Sequence, residues 1–346
     1  MSIRLLGAAF AGAIAVAALA VPAGAADVTL RLQHFLAPTA PAQKILHEPW
    51  AEWVKTASKG RIETQIYPAM QLGGAPPQLA DQVREGIADV VWTLPGYTPG
   101  RFPRVEVFEL PFMHINALAT TLALQDYAEM HLAEEFKDFK VILFHVHDGQ
   151  LLQANRGVEK LEDFKGMKIR VPNRVGGWMI EAIGAVPVGA PVPQVPQMLS
   201  KGVVDGTMLP LEVALPLKLH ELVKFNTVMA GPQPRFNTSV FSLLMNRKRY
   251  DDLPPDLKKA IDDYSGRKIA EYAGRKWIEV EAPGREAAEK AGVKFVTMPQ
   301  AEVDKLKSAV KPVYDRWLAE TKAAGIDGDK LLADARRLLE KYKDAK

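Results

Sequence analysis

One stretch of this sequence is especially informative about the fold. It runs Leu161-Glu162-Asp163-Phe164-Lys165-Gly166-Met167-Lys168-Ile169-Arg170-Val171-Pro172. Its first residues predict a turn of helix, and the apolar run that begins at Met167 predicts a strand. Arg170 lies at the end of that strand, where α/β proteins place their ligand clefts. A guanidinium group offers a carboxylate two parallel donors and stays charged when it is desolvated. Arg170 is therefore a candidate anion-binding residue, with an ordinary surface salt bridge as the alternative.

Strands and helices alternate on both sides of this stretch, which predicts an α/β protein whose parallel sheets are covered by helices. Strands are predicted at 28–34, 61–67, 88–93, 140–147, 167–171, 203–208, 238–246 and 293–297. Helices are predicted at 41–58, 78–85, 118–136, 178–183, 195–201, 257–282, 300–323 and 330–343. No low-complexity linker separates the two halves, so we expect the chain to cross between two lobes more than once.

The N-terminus carries the pattern of a secretory signal peptide. Arg4 precedes an apolar run over 5–21, and the small residues Ala23-Gly24-Ala25 follow it. We predict cleavage after Ala25 and export; a membrane anchor is the alternative. No later run of that length lacks charges, so the mature protein is predicted not to span a membrane.

Composition narrows the class of protein further. The chain has 346 residues with 44 Lys and Arg against 41 Asp and Glu, a balance that argues against a nucleic-acid partner. It contains no cysteine, so an exported form would rest on its hydrophobic core rather than on disulfides. No phosphate-binding glycine motif follows a predicted strand, and we predict no cofactor.

Four separated blocks agree in order and spacing with a known family. They are 67–73 followed by 86–89, then 108–112, then 161–172, then 184–187 followed by 202–206. Over about residues 28–323 the chain resembles the DctP-type substrate-binding proteins of TRAP (tripartite ATP-independent periplasmic) transporters. The resemblance implies a periplasmic solute receptor rather than an enzyme. It also implies a membrane permease of small and large subunits as the partner.

The resemblance implies a two-lobed periplasmic-binding-protein fold with an interdomain cleft, crossing strands and a long connecting helix. We predict a first lobe of residues 26–149 with about 234–276, and a second of 150–233 with about 277–305. Residues 306–346 are predicted to form helices on the outside, after the signal peptide at 1–25.

In this family the arginine that matches Arg170 pairs with the carboxylate of the ligand. Some members carry a second arginine where this chain has Gln150, and polar pocket residues where it has Leu94 and Leu209. Because polyhydroxylated ligands need many paired polar groups, these departures favour a monocarboxylate with an apolar or aromatic body. A sugar acid, dicarboxylate or oxo acid remains the alternative. The further ligand-binding candidates are Trp92, Tyr97, Phe35, Asn173, Trp178, Phe236 and Asn237.

One cluster suggests a different class of function. His145 and His147 would share one face of a strand, and Asp148 follows them. Two imidazoles and a carboxylate could bind a metal ion, as in an exported metal-dependent hydrolase. Because no further ligand is obvious nearby, we expect cleft-lining or core histidines here and predict no metal.

Overall fold

The computed structural model describes residues 26–231 and 235–346. These residues form two β-sheets with helices packed on their faces, which is the α/β architecture that the sequence predicts. The predicted signal peptide, residues 1–25, lies outside the described residues. Within the described ranges, no helix is long and apolar enough to cross a lipid bilayer.

Each sheet forms the centre of one lobe. The strands along the chain are β1 (Val28–Gln33), β2 (Ile62–Tyr67), β3 (Val90–Thr93), β4 (Phe139–Val146), β5 (Leu151–Ala154), β6 (Lys168–Val171), β7 (Val186–Gly189), β8 (Gly206–Leu209), β9 (Phe225–Met229), β10 (Val240–Asn246) and β11 (Lys294–Met298). The first sheet has the order β2-β1-β3-β10-β4, and the second has the order β11-β9-β5-β8-β6-β7.

Both sheets are mixed rather than purely parallel, which corrects the sequence prediction. Strand β10 runs antiparallel to β3 and β4, and β5 runs antiparallel to β8 and β9. The reason lies in the connections. The chain passes directly from β4 in the first sheet to β5 in the second, and from β9 in the second back to β10 in the first. A strand that arrives from the other lobe needs no helical crossover and can therefore pair in the opposite direction.

The helices pack on the faces of the sheets and on one another. They are α1 (Glu48–Ala57), α2 (Leu79–Glu85), α3 (Ala117–His131), α4 (Arg174–Ala182), α5 (Val195–Ser200), α6 (Leu211–Ala214), α7 (Arg247–Asp251), α8 (Pro255–Asp262), α9 (Arg267–Glu279), α10 (Glu281–Lys290), α11 (Gln300–Ala309), α12 (Lys311–Ala323) and α13 (Gly328–Tyr342). A wider helical turn at Ala42–His47 leads into α1, and short 3₁₀ turns include Pro95–Tyr97 and Val105–Glu109.

The predicted helix over 257–282 is interrupted. Gly266, with a φ of 66°, separates α8 from α9, because a left-handed residue cannot continue a helix. The pair α9–α10 then forms the long connecting helix, since α9 packs on α3 and β4 whereas α10 packs on α6 of the second lobe. The approach of α10 to α6 is close: a Cβ on Gly284 would lie 2.1 Å from the carbonyl oxygen of Leu211.

The strands of the two sheets can be compared with the predicted division of the chain. All strands of the first sheet fall within 26–149 and 234–276, and all strands of the second fall within 150–233 and 277–305. The lobe limits themselves stay predictions. After residue 306, α12 packs on α4 and α13 packs on α3. The sequence analysis did not anticipate strands β5, β7 and β9, each of which is short.

Candidate functional site

A partly open cavity lies between the two sheets, with about 430 Å³ of empty space that includes solvent at its mouth. Both lobes contribute to its lining, which consists of Phe35, Leu36, Trp92, Leu94, Tyr97, His147, Asp148, Gln150, Arg170, Pro172, Val192, Leu209, Pro210, Glu212, Val213, Thr238, Ser239 and Phe241. Six predicted ligand-binding residues therefore meet here: Phe35, Trp92, Tyr97, Gln150, Arg170 and Leu209.

Arg170 is completely buried in the wall of this cavity. Strand β6 holds it between β7 and β8, and its Nε donates a hydrogen bond to the carbonyl oxygen of Ala190 at 2.8 Å. Among the described residues, neither terminal nitrogen makes a hydrogen bond of ordinary geometry, although the Tyr97 hydroxyl interacts with the guanidinium. Burial lowers the pKa of Arg170, but an arginine side chain stays protonated in proteins. A buried cation with two unused donors calls for an anion that it can pair with.

Aromatic rings form one wall of the cavity. Trp92 stacks on Phe35 with ring centroids 5.0 Å apart and on Phe241 at 4.8 Å. Tyr97 meets the edge of Phe35 at 5.6 Å, and its hydroxyl accepts the Val192 N–H at 3.0 Å. Burial raises the pKa of Tyr97 although the Arg170 cation opposes that shift, so this hydroxyl remains neutral. The wall is therefore flat, largely apolar and fixed in place.

Gln150 contributes an amide where some relatives have a second arginine. Its Nε2 donates to the Ser239 Oγ at 2.7 Å, and its Oε1 is buried without a partner among the described residues. Arg170 is the sole arginine or lysine among the cavity-lining residues that the structure describes. The cavity thus offers one strong positive charge.

A second polar region of the lining contains His147, Glu212 and Asp148. The Nδ1 of His147 lies 2.5 Å from Glu212 Oε1. Asp148 lies 3.4 Å from both the His114 Nε2 and the Arg235 Nη2. Burial lowers the pKa of His147 well below its ordinary value and raises the pKa of Glu212 to about 7. This end of the cavity holds acidic groups and a neutral imidazole rather than a second cation.

Four predicted ligand-binding residues lie outside the cavity lining. Asn173 caps α4, where its Oδ1 accepts the Gly176 N–H at 2.7 Å. Trp178 lines an outer groove, and the guanidinium carbons of Arg174 and Arg316 lie 5.1 and 4.4 Å from its ring centroid. The remaining two, Phe236 and Asn237, lie in the segment that leads into β10.

Phe236 is fully buried and meets Phe164 edge-on at 6.0 Å. Asn237 donates from its Nδ2 to the carbonyl oxygen of Glu109 at 3.3 Å, so both side chains point into packing around the crossing segment. In two of the four cases a neighbouring residue lines the cavity instead: Pro172 beside Asn173 and Thr238 beside Asn237. A sequence motif predicts which segment lies near a site more reliably than it predicts the direction of each side chain.

Sequence reasoning also missed several lining residues. Phe241 lies within the predicted strand 238–246, and the alternation of that strand could have placed it on the same face as Ser239. Val192, Val213 and Glu212 belong to loops and short helices, where the sequence carries no periodic signal.

The histidines considered as metal ligands are engaged elsewhere. The Nε2 of His145 accepts the indole N–H of Trp92 at 2.9 Å, whereas His147 pairs with Glu212. Asp148 contacts His114 and Arg235. Among the described residues, no three histidine, cysteine or acidic side chains are grouped so that they could bind a metal ion.

Residues 32–321 match the bacterial extracellular solute-binding proteins, family 7, known as DctP. The chain belongs to this family. A TRAP solute-binding protein from Rhodoferax ferrireducens T118, solved with copurified benzoate, is 40% identical; the alignment covers 91% of this chain and 98% of that chain, with a TM-score of 0.89. A marine metagenome TRAP solute-binding protein specific for aromatic acids, solved with 3-hydroxybenzoate, is also 40% identical, with 92% and 100% coverage and a TM-score of 0.90.

A more distant DctP member is the C4-dicarboxylate-binding periplasmic protein DctP of Rhodobacter capsulatus. It is 27% identical over 330 residues, which cover 93% of this chain and 97% of the relative. Members of the family thus bind acidic ligands of more than one shape. The residues that line the cavity of each member must therefore select its ligand.

Proposed function

We propose that this protein is a periplasmic receptor of a TRAP transporter and that it binds an aromatic monocarboxylate of the benzoate class. The observation that carries the proposal is Arg170, a buried cation whose two terminal nitrogens have no ordinary hydrogen-bond partner among the described residues and which lines a cavity walled by aromatic rings. The ligand carboxylate would receive both terminal N–H groups in a two-pronged contact.

The body of the ligand would lie against the aromatic wall of Phe35, Trp92 and Phe241. Flat rings gain from burial and from stacked or edge contacts beyond the area that they bury. Leu94 and Leu209 supply aliphatic contacts that an aromatic ring satisfies. A sugar acid would leave several hydroxyl groups unpaired against these side chains, and each such group costs about 1–3 kcal/mol.

Charge argues against a second carboxylate on the ligand. The described lining holds two acidic side chains, Asp148 and Glu212, and one arginine, so a second carboxylate on the ligand would have no second cation there to pair with. The two 40%-identical structures, with benzoate and 3-hydroxybenzoate, support the aromatic assignment. The C4-dicarboxylate receptor, at 27% identity, represents the alternative.

Membership of the family supports the proposed location and partner. The predicted signal peptide would export the chain, and the closed, ligand-bound form would deliver the acid to small and large permease subunits. Ligand contacts with both lobes would favour the closed arrangement over an open one.

Titration calorimetry tests the ligand class. The purified protein would be unfolded, dialysed and refolded to remove any copurified acid, and then titrated with benzoate, succinate and glucuronate. We expect measurable binding of benzoate alone. Binding of succinate or glucuronate without benzoate would refute the proposed ligand class.

The anchor is tested by Arg170→Ala. Truncating one partner of a buried charge pair costs about 2–5 kcal/mol, or roughly 30-fold to several thousandfold in affinity. Arg84→Ala, at a half-exposed arginine of α2 that pairs with Asp81, is the matched control and should bind as the unaltered protein does. Equal affinity in Arg170→Ala would place the anchor elsewhere.

A further inference from the structure

We propose that His147, held by Glu212, forms a second recognition point that binds a hydroxyl group on the ring of the ligand. The preferred ligand would then be a hydroxylated aromatic acid. This inference rests on the proposed function, because it assumes that an aromatic carboxylate occupies the cavity with its acid group at Arg170.

The surroundings of His147 leave one edge of its ring available. Phe241 covers one face with a centroid distance of 3.8 Å and an interplanar angle of 6°, and Trp277 covers the ring at 3.6 Å and 19°. The Nδ1 edge is occupied by Glu212 Oε1 at 2.5 Å. The Nε2 is buried and has no hydrogen-bond partner among the described residues, although His147 lines the cavity. The open edge is therefore the Nε2 edge.

Glu212 determines whether the Nε2 of His147 donates or accepts a hydrogen bond. Its position is fixed because the N–H groups of Leu211 and Glu212 both donate to Glu281 Oε1, at 3.0 and 3.1 Å. As a carboxylate, Glu212 accepts the Nδ1–H of His147. A neutral imidazole with its proton on Nδ1 presents a lone pair at Nε2, which is a hydrogen-bond acceptor. Burial, which disfavours the imidazolium form, keeps this ring neutral.

An acceptor in an otherwise apolar cavity selects for a donor on the ligand. A phenolic O–H is such a donor and adds little volume to the ring. A second carboxylate would instead face the charges of Glu212 and Asp148. A buried polar site that is built to pair with a hydroxyl also rejects the analogue that lacks it, because its own atom is then left unpaired.

The two recognition points lie in different parts of the fold. Arg170 belongs to β6 of the second sheet, and His147 directly follows β4 of the first. A ligand that engages both would link the lobes through its own length, which would favour the closed arrangement more than benzoate does.

A ligand series on the unaltered protein tests this inference. Titration calorimetry would compare benzoate with 2-, 3- and 4-hydroxybenzoate and with the three methylbenzoates, which match the hydroxyl in size but cannot donate. We expect at least one hydroxybenzoate to bind about tenfold or more tightly than benzoate, and the methylbenzoate with the same substitution pattern to show no such gain. If no hydroxybenzoate exceeds benzoate, or if the methyl analogue gains equally, the inference is wrong while the proposed function stands. If benzoate and all its analogues fail to bind, both are wrong.

The variant His147→Phe tests whether His147 causes the higher affinity for hydroxybenzoate than for benzoate. Phenylalanine preserves the stacked ring and removes both nitrogens. We expect the affinity ratio of hydroxybenzoate to benzoate to fall to about one, with benzoate as the reference within the same variant. His220→Phe, the same substitution at a histidine outside the cavity lining, should keep the full ratio. Retention of the full ratio in His147→Phe would overturn the assignment, and the series on the unaltered protein remains decisive if the variant does not fold.

Discussion

The Nε of Arg170 donates to the carbonyl oxygen of Ala190 at 2.8 Å, and this single bond orients the whole guanidinium group. Ala190 follows β7, which pairs in parallel with β6, so the bond ties the side chain to the neighbouring strand. With Nε engaged, the two terminal nitrogens are the donors left for a ligand. The geometry of the anchor is thus set by the sheet before any ligand arrives.

Arg170→Lys should bind benzoate poorly although it keeps the positive charge. A lysine has no group that can bond Ala190 and still present two parallel donors, so the fork is lost. We expect a loss on the order of 10- to 100-fold, which is smaller than the loss in Arg170→Ala. Calorimetry at equal pH and salt measures both variants. An Arg170→Lys protein that binds benzoate with full affinity would show that charge alone provides the anchor.

Benzoate should raise the melting temperature of the protein. Binding to the folded state alone adds about 2.7 kcal/mol to the free energy of unfolding when the free ligand is at 100 times its Kd. Differential scanning calorimetry over a concentration series would measure the shift. Succinate at the same concentrations serves as the control ligand, and Arg170→Ala should show no shift with benzoate in the same range. A shift of equal size in that variant would contradict the proposed contact.

Arg174→Ala should weaken benzoate binding without altering ligand preference. Arg174 donates from Nε and Nη2 to the two carboxylate oxygens of Glu106 at 2.6 and 2.7 Å, and it also contacts Glu320. Glu106 follows the first sheet's β3 and Arg174 follows the second sheet's β6, so the pair joins the two lobes. Its loss removes the arginine from a buried carboxylate and so would destabilise the arrangement of the lobes that the structure describes.

We expect about a tenfold loss of affinity for benzoate and for each hydroxybenzoate alike. Arg84→Ala, at the half-exposed arginine of α2 that pairs with Asp81, should have no effect. A change in the order of ligand affinities would mean that Arg174 acts on the cavity itself rather than on closure.

Stability should fall in acid because of His34. This residue is fully buried, its Nδ1 accepts the Leu36 N–H at 3.3 Å, and burial lowers its pKa from 6.5 to about 4. As the pH falls from 6.5 towards 4, the unfolded chain binds a proton that the folded chain does not, so the free energy of unfolding decreases. Between about pH 7.5 and pH 4.5 this contribution amounts to about 2–3 kcal/mol.

His34→Asn keeps an acceptor for the Leu36 N–H but cannot titrate in this range. The difference in unfolding free energy between the unaltered protein and the variant should therefore narrow by about 2–3 kcal/mol as the pH falls from about 7.5 to 4.5. Urea unfolding at the two pH values measures it. A constant difference would mean that the pKa of His34 is the same in the folded and the unfolded chain.

Much of the site could be predicted from the motif around Arg170 and from the departures at Gln150, Leu94 and Leu209. These residues all line the cavity. The sequence could not show which other residues would pack beside them. The aromatic wall was predicted in part, through Phe35, Trp92 and Tyr97. Phe241 and the His147–Glu212 pair were not recognised as parts of one site, because they come together only when β4, β10 and α6 meet.

The α/β class, the family and the segment that carries Arg170 could be predicted from the sequence alone, because hydrophobic periodicity and local motifs are properties of neighbouring residues. The structure was needed to show the direction of β5 and β10, the interruption of the helix at Gly266 and which of two adjacent side chains, such as Pro172 and Asn173, lines the cavity. Those features depend on contacts between residues far apart in the chain. The same is true of the terminal nitrogens of Arg170 and the Nε2 of His147. That these atoms have no ordinary hydrogen-bond partner among the described residues can be recognised only once the segments have packed.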